Sequence, residues 1–189
     1  MYRLTFLLLL LPFLSFSQTD TTGTGFPFED GKIVYESAAA VSGLSRDTLY
    51  AAAKKWIAHS FADGKFKLEH EDSGTGQIQG SAVSLLLVTS SNWLFQTYAL
   101  ELNFSIEILC KDEHYQIRFY GITTKSVALG SMTSDVQVPL ETLARQMKET
   151  KFKPKQTERN RDMKRAVDEQ FSKLLSSFQQ GFKKSGSLF

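Results

Sequence analysis

Leu100-Glu101-Leu102-Asn103-Phe104-Ser105-Ile106-Glu107-Ile108-Leu109-Cys110 alternates apolar and polar side chains, and Tyr115-Gln116-Ile117-Arg118-Phe119 resumes the alternation after Lys111-Asp112-Glu113-His114. A period of two sustained over that length is the mark of a half-buried strand. Pairing Cys110 with Tyr115 across the turn puts both apolar rows on one side and sets Glu107 opposite Arg118. The stretch therefore reads as a β-hairpin with one buried and one polar face, and it predicts an antiparallel sheet covered on one side only.

Working outward, Ile78 through Leu85-Leu86-Leu87-Val88 reads as a strand, preceded by a turn near Asp72-Ser73-Gly74 and by a strand in which Phe66, Leu68 and His70 alternate with Lys67, Glu69 and Glu71. Residues 89–96 read as a loop. Further upstream, Leu49, Ala52, Ala53, Trp56, Ile57 and Phe61 form an apolar helical stripe, with Ser45 placed to cap its start and Asp47 in its first turn. Before it, Ile33, Tyr35, Ser37, Ala39 and Val41 share one face of a strand that starts at Lys32. Downstream, residues 124–138 are polar and irregular, and Pro139 is suited to begin a short helix carrying Leu140, Leu143, Ala144 and Met147. After Lys151-Phe152-Lys153-Pro154-Lys155, a stripe through Met163, Ala166, Val167, Gln170, Phe171, Leu174, Leu175 and Phe178 predicts a long amphipathic helix. The predicted class is α+β in the order β-α-β-β-β-β-α, a curved antiparallel sheet of about five strands with two helices packed on one face.

The N-terminus has a different character. Arg3 precedes an apolar run from Leu4 to Leu14, and Ser15-Phe16-Ser17 supplies the small-x-small pattern of a cleavage site. The run is shorter than the roughly 20 residues of a membrane span. Residues 1–17 are therefore expected to be a signal peptide, 18–31 an extended leader, 32–184 a single domain, and 185–189 a flexible tail. Cys110 is the only cysteine and does not follow the cleavage site, so neither a lipid anchor nor an intrachain disulfide is expected. The expected location is secreted or periplasmic. Formal net charge is +2, but residues 18–147 hold 10 basic and 15 acidic side chains, whereas residues 148–189 hold 11 basic and 5 acidic. The basic character lies in the tail.

Phe26-Pro27-Phe28 before Lys32-Ile33-Val34-Tyr35-Glu36, the Leu49-Tyr50-x-x-Ala53-Lys54-Lys55-Trp56 helix, and Asp72-x-x-x-Gly76-x-Ile78-x-Gly80 carry a family resemblance. Over roughly residues 28–125 the chain resembles the domain-of-unknown-function family 4468, described as having a fold like that of the TATA-box-binding protein. The resemblance implies a TBP-like fold and an exported protein of a Gram-negative bacterium. It implies no catalytic residue.

Nucleic-acid binding does not follow from that fold, because the expected open face carries Glu36, Glu69, Glu71, Glu101 and Glu107 against Lys32, Lys67 and Arg118, while phosphate contact requires a cationic surface. Glu101 and Glu107 are too far apart for paired acid/base work, at roughly 20 Å along one strand. His70-Glu71-Asp72 and Asp112-Glu113-His114 would make a mixed N/O metal site if they met in space, but both lie at turns, where polar residues gather anyway. Cys110 falls on an apolar face, as a small buried hydrophobe does. Gly74, Gly76 and Gly80 precede a strand and not a helix, so they suit a tight turn and close strand packing better than a phosphate loop. Trp93, in the polar loop Ser91-Asn92-Trp93-Leu94-Phe95, is either a cap on the sheet edge or a ligand anchor. The basic flank of the last helix would suit an anionic membrane if that helix were not needed to cover the sheet.

The reading that emerges is an exported, non-enzymatic domain binding a protein, glycan or envelope component. The candidate contact residues are Trp93, Arg118, Glu107 and Glu101. No cofactor, nucleic acid or transmembrane segment is expected, and a monomer or weak oligomer is. A small metal-dependent or hydrolytic enzyme, and a module lying on a membrane surface, are the alternatives.

Overall fold

The computed structural model describes residues 24–62, 64–89, 97–127, 136–149 and 154–186. The hairpin read first is the centre of the fold. Strands β6 (Tyr98–Lys111) and β7 (His114–Val127) pair in antiparallel register with Cys110 opposite Tyr115 and Glu107 opposite Arg118, as the alternation requires. On β6 every second residue from Leu100 to Cys110 is buried. The sheet order is β3 (Tyr35–Ala40), β7, β6, β5 (Gln77–Val88), β4 (Phe66–Asp72), all antiparallel, and the short β8 (Val138–Pro139) adds to the far end of β7.

Three helices cover one face. Helix α1 (Arg46–Ser60) begins where expected, with Ser45 Oγ accepting from the Thr48 amide at 3.3 Å. Two carboxylates assist: Asp112 Oδ1 accepts from the Arg46 amide at 2.8 Å, and Glu113 Oε1 from the Gly43 amide at 2.8 Å. The two-residue turn of the central hairpin thus serves the amides at and before the helix N-terminus, where negative charge is favoured. Helix α2 (Leu140–Lys148) starts after Pro139 and buries Leu140, Leu143 and Ala144. Helix α3 (Pro154–Gly186) lies across the sheet. Its Phe171 stacks on Tyr35 at 4.5 Å and meets Phe104 edge-on at 5.1 Å; its Phe178 meets Trp56 edge-on at 5.0 Å; its Phe182 stacks on Tyr115 at 4.7 Å. Trp56 Nε1 also donates to Ser177 Oγ at 2.9 Å, so α1 and α3 are locked to each other as well as to the sheet. These aromatics and the surrounding Ile, Leu and Val side chains form one continuous core.

The α+β class stands, and several details differ from the sequence reading. The short strands β1 (Phe28–Glu29) and β2 (Lys32–Ile33) form a small hairpin ahead of β3, and α2 joins the helical layer, so the strands exceed five and the helices are three. Residues 24–31, the described part of the segment expected to be a leader, join the fold: Phe26 is fully buried in the core, with the Lys164 ammonium 5.0 Å from the centre of its ring. β7 runs on to Val127, where an irregular stretch was expected from residue 124, because residues 123–127 pair with the start of β6. A bulge at Gly121 (φ +62°), opposite the step from Asn103 to Ser105, absorbs the extra residue and shifts the alternation that periodicity alone would extend. A second bulge, between Leu68 and His70, turns Glu71 to the helical side, where its carboxylate lies 3.0 Å from Lys54 Nζ of α1; it is not on the open face. Leu68, expected inside, stays 47% exposed at this edge.

Candidate binding face

Among the described residues the helices all lie on one side of the sheet and leave the other bare. Register places a row of polar residues straight across it: His70, Gln79, Glu107, Arg118 and Glu36 are successive cross-strand partners from β4 to β3. Each projects to the same side because each lies opposite the next in an antiparallel ladder. Glu107 accepts from Gln79 Nε2 at 3.1 Å and from Gln77 Nε2 at 3.4 Å. Arg118, which the hairpin register set against Glu107, instead reaches the other way. Its Nε is 3.0 Å from Glu36 Oε2, and its Nη2 binds Glu29 Oε2 of the β1 strand. The register is as expected and the ion partner is not, because the β1–β2 hairpin brings a second carboxylate to the side of Arg118 away from β6. Tyr120 lies one row on, its hydroxyl held above its ordinary pKa by burial and then by Glu107 and Glu69. It therefore stays protonated and can donate.

Glu101 sits two rows further along, opposite Lys125, and accepts from Asn103 Nδ2 at 3.2 Å. Its row begins with Leu85 of β5. Here the face changes character. Val83, Leu85 and Leu87 are 37%, 59% and 61% exposed, at alternate positions of one strand and hence on one side, spaced by roughly 6.6 Å. The run Leu85-Leu86-Leu87-Val88 reads from sequence as part of a strand, with no residue assigned to either face. Extending the inward set Ile78, Gly80 and Ala82 by twos to Leu86 and Val88 is the signal that would have placed Leu85 and Leu87 outside. Trp93 lies outside the described residues.

Other candidate chemistry is placed apart. His70 is on β4 and His114 on β7, three strand spacings away or about 14 Å, so the two turn clusters do not combine. Among the described residues no three His, Cys, Asp or Glu side chains are grouped as a metal site. Asp112 and Glu113 are occupied with the α1 terminus, and Asp72 closes its own turn, Oδ1 accepting from the Gly74 amide at 2.8 Å and Oδ2 from Thr75 Oγ1 at 2.9 Å. The Cys110 thiol is fully buried, and burial pushes its pKa up to about 12, the opposite of an activated nucleophile. The motif glycines do close packing. Gly76 has φ +74°, and a Cβ there would lie 2.2 Å from the Cys110 carbonyl oxygen; a Cβ on Gly80 would lie 2.4 Å from the Phe66 ring. No helix among the described residues is long and apolar enough to cross a membrane.

A single antiparallel sheet with helices on one face and a bare polar-to-apolar face on the other is a TBP-like α+β domain. Residues 35–125 match the family described as "Domain of unknown function (DUF4468) with TBP-like fold", which is the family the motifs resemble. Two solved structures share the fold. A DUF4468 family protein from Bacteroides ovatus ATCC 8483 superposes with a TM-score of 0.65 at 17% identity, over 85% of this chain and 91% of that one. A TBP-like protein from Parabacteroides distasonis ATCC 8503 gives 0.58 at 16% identity, over 81% and 96%. No curated protein matches.

Proposed function

We propose that this protein is an exported, non-enzymatic binding domain that takes a protein, glycan or envelope component on the open face of its sheet. One observation carries the reading. On the face the helices leave bare, the exposed apolar stripe Val83, Leu85 and Leu87 adjoins the hydrogen-bonded row Gln79, Glu107, Arg118 and Glu36. Contiguous exposed apolar side chains rimmed by ordered polar groups are what a partner-binding surface presents. The stripe favours a protein partner over a glycan, since aliphatic side chains gain most by burial against other aliphatic or aromatic groups. The face carries mixed charge and not a cationic field, which disfavours nucleic acid. Export is supported by the charged, apolar and small-residue succession of residues 1–17.

The test uses affinity-tagged full chain expressed in the source cell, with the periplasmic and culture fractions probed for it and captured complexes compared with those of a Leu85→Lys/Leu87→Lys variant. The proposal expects the protein in those fractions with its N-terminal segment removed, and partner recovery lowered at least about tenfold by the variant at unchanged melting temperature. A protein retained in the cytoplasm refutes export. Equal recovery by both proteins refutes the face.

A further inference from the structure

The two edges of the sheet are built differently. Edge strands expose unpaired backbone amides and carbonyls, and proteins guard them with charges, prolines or bulges. β4 is guarded: it carries Lys67, Glu69, His70 and Asp72, most of it is exposed, and it bulges between Leu68 and His70. β3, at the other edge, reads Tyr35-Glu36-Ser37-Ala38-Ala39-Ala40, with no lysine or proline and an unbroken register against β7.

The direction of its free groups follows from the hairpin. Lys111 and His114 close the two-residue turn and so form the hydrogen-bonded pair across β6 and β7. Alternation turns the amides of Tyr115, Ile117 and Phe119 toward β3, where they meet Ala39, Ser37 and Tyr35, and the Val41 amide donating to the Glu113 carbonyl at 2.7 Å continues the pattern. The amides and carbonyls of Glu36, Ala38 and Ala40 therefore point outward. Above Tyr35 the β1–β2 hairpin bounds this edge, and below Ala40 the chain turns away at residues 42–43. Among the described residues no strand pairs with this run, which is symmetric about Ala38.

We propose that β3 pairs antiparallel with β3 of a second copy of this chain, with Ala38 opposite Ala38 on the dyad and Glu36 opposite Ala40 on either side. In that register every outward-facing backbone group of the run meets a partner, and the contact is self-complementary, with Glu36 of each copy meeting Ala40 of the other, as a two-fold contact demands. Charge permits the geometry. The incoming Glu36 falls beside Ala40, in the cross-strand row that continues through His114 to Lys111, and an open depression of about 370 Å³ lined by residues 38–40, Lys111 and His114 flanks the spot. Glu36 is neutralised by Arg118 of its own chain, so the incoming carboxylates bring no like-charge repulsion. The short contact predicts a weak, concentration-dependent dimer, whose two open faces form one continuous sheet.

Sedimentation equilibrium on the protein purified from cells expressing the full chain tests this, together with Ala38→Lys, Ala38→Cys and, as a control on the other edge, Lys67→Cys. The expected result is reversible dimerisation, weakened at least about tenfold by Ala38→Lys with an unchanged circular dichroism melt. Mild oxidation should cross-link Ala38→Cys, since a hydrogen-bonded pair sets the Cα atoms about 5.5 Å apart, within disulfide reach, and leave Lys67→Cys without a cross-link. A wild-type protein monomeric up to about millimolar concentration overturns the proposal. So does a dimer indifferent to Ala38→Lys, or one in which Ala38→Cys cross-links no faster than Lys67→Cys.

Discussion

Replacing Phe171 with alanine should remove the main tie between α3 and the sheet. The side chain is fully buried and contacts Tyr35 at 4.5 Å, Phe104 at 5.1 Å and Phe119 at 5.3 Å, so truncation opens a cavity that three aromatic neighbours, fixed by their own strands, cannot collapse to fill. Phe→Ala in a core costs about 3–5 kcal/mol, and the loss of ring-to-ring geometry puts this site at the upper end, about 4–5 kcal/mol. For a domain of this size each kcal/mol moves the melting temperature by roughly 2–4 °C, giving a drop of about 8–20 °C. Urea denaturation followed by circular dichroism and by Trp56 fluorescence measures it, with Lys173→Ala on the exposed side of the same helix as a reference expected within about 0.5 kcal/mol. A cost for Phe171→Ala below about 1.5 kcal/mol would mean that α3 is not docked as described, and would return the helix to the membrane or partner roles its basic flank suggests.

The remaining predictions follow the same residues. Gly76→Ala should cost about 3 kcal/mol, since it combines a left-handed backbone with a Cβ 2.2 Å from a carbonyl oxygen, and Gly80→Ala about 2–3 kcal/mol through collision with the Phe66 ring and the Lys67 carbonyl; chemical denaturation checks both. In double-mutant cycles, Arg118 should couple to Glu36 by about 0.5–1 kcal/mol and to Glu107 by less than about 0.3 kcal/mol, reversing the pairing that register alone suggests. Cys110 holds its proton more tightly folded than unfolded, so its contribution to stability is fully present below about pH 8.5 and is lost as pH rises toward about 12; wild type should lose more stability over that window than Cys110→Ala, and the native thiol should react with a disulfide reagent only on unfolding.

How much of this was legible differs by element. The turn end of the central hairpin was readable to the residue, because a two-residue turn and the alternation from Leu100 to Glu107 leave one register, which pairs Ile106 with Phe119 and Ile108 with Ile117. The helices were readable from Ser45 and from the stripe through Phe171 and Phe178. Where the reading failed, a local irregularity had broken the period. The bulge at Leu68 to His70 sends Glu71 to Lys54, the bulge at Gly121 carries β7 past the point where polarity suggested a loop, and the turn at Asp30 and Gly31, both with positive φ, folds the leader back so that Glu29 reaches Arg118. Bulges depend on how neighbouring strands fit, and no single strand announces them. The site shows the same division. Arg118, Glu107 and Glu101 are on the open face as their polar alternation implied, but their partners are set by chains distant in sequence. Leu85 and Leu87 lie in a run of four apolar residues, which carries no alternation of its own to show which of them face outward.

The account depends on the bare face of the sheet being the surface that meets a partner. Site-specific photo-cross-linking in the producing cells, with the reactive residue at Leu85 on the open face or at Lys173 on α3, tests that directly. A discrete adduct from position 85, absent from position 173 and abolished by a charged substitution at Leu87, is the predicted result. Adducts from position 173 with none from position 85 would contradict it and move the binding surface to the helical side.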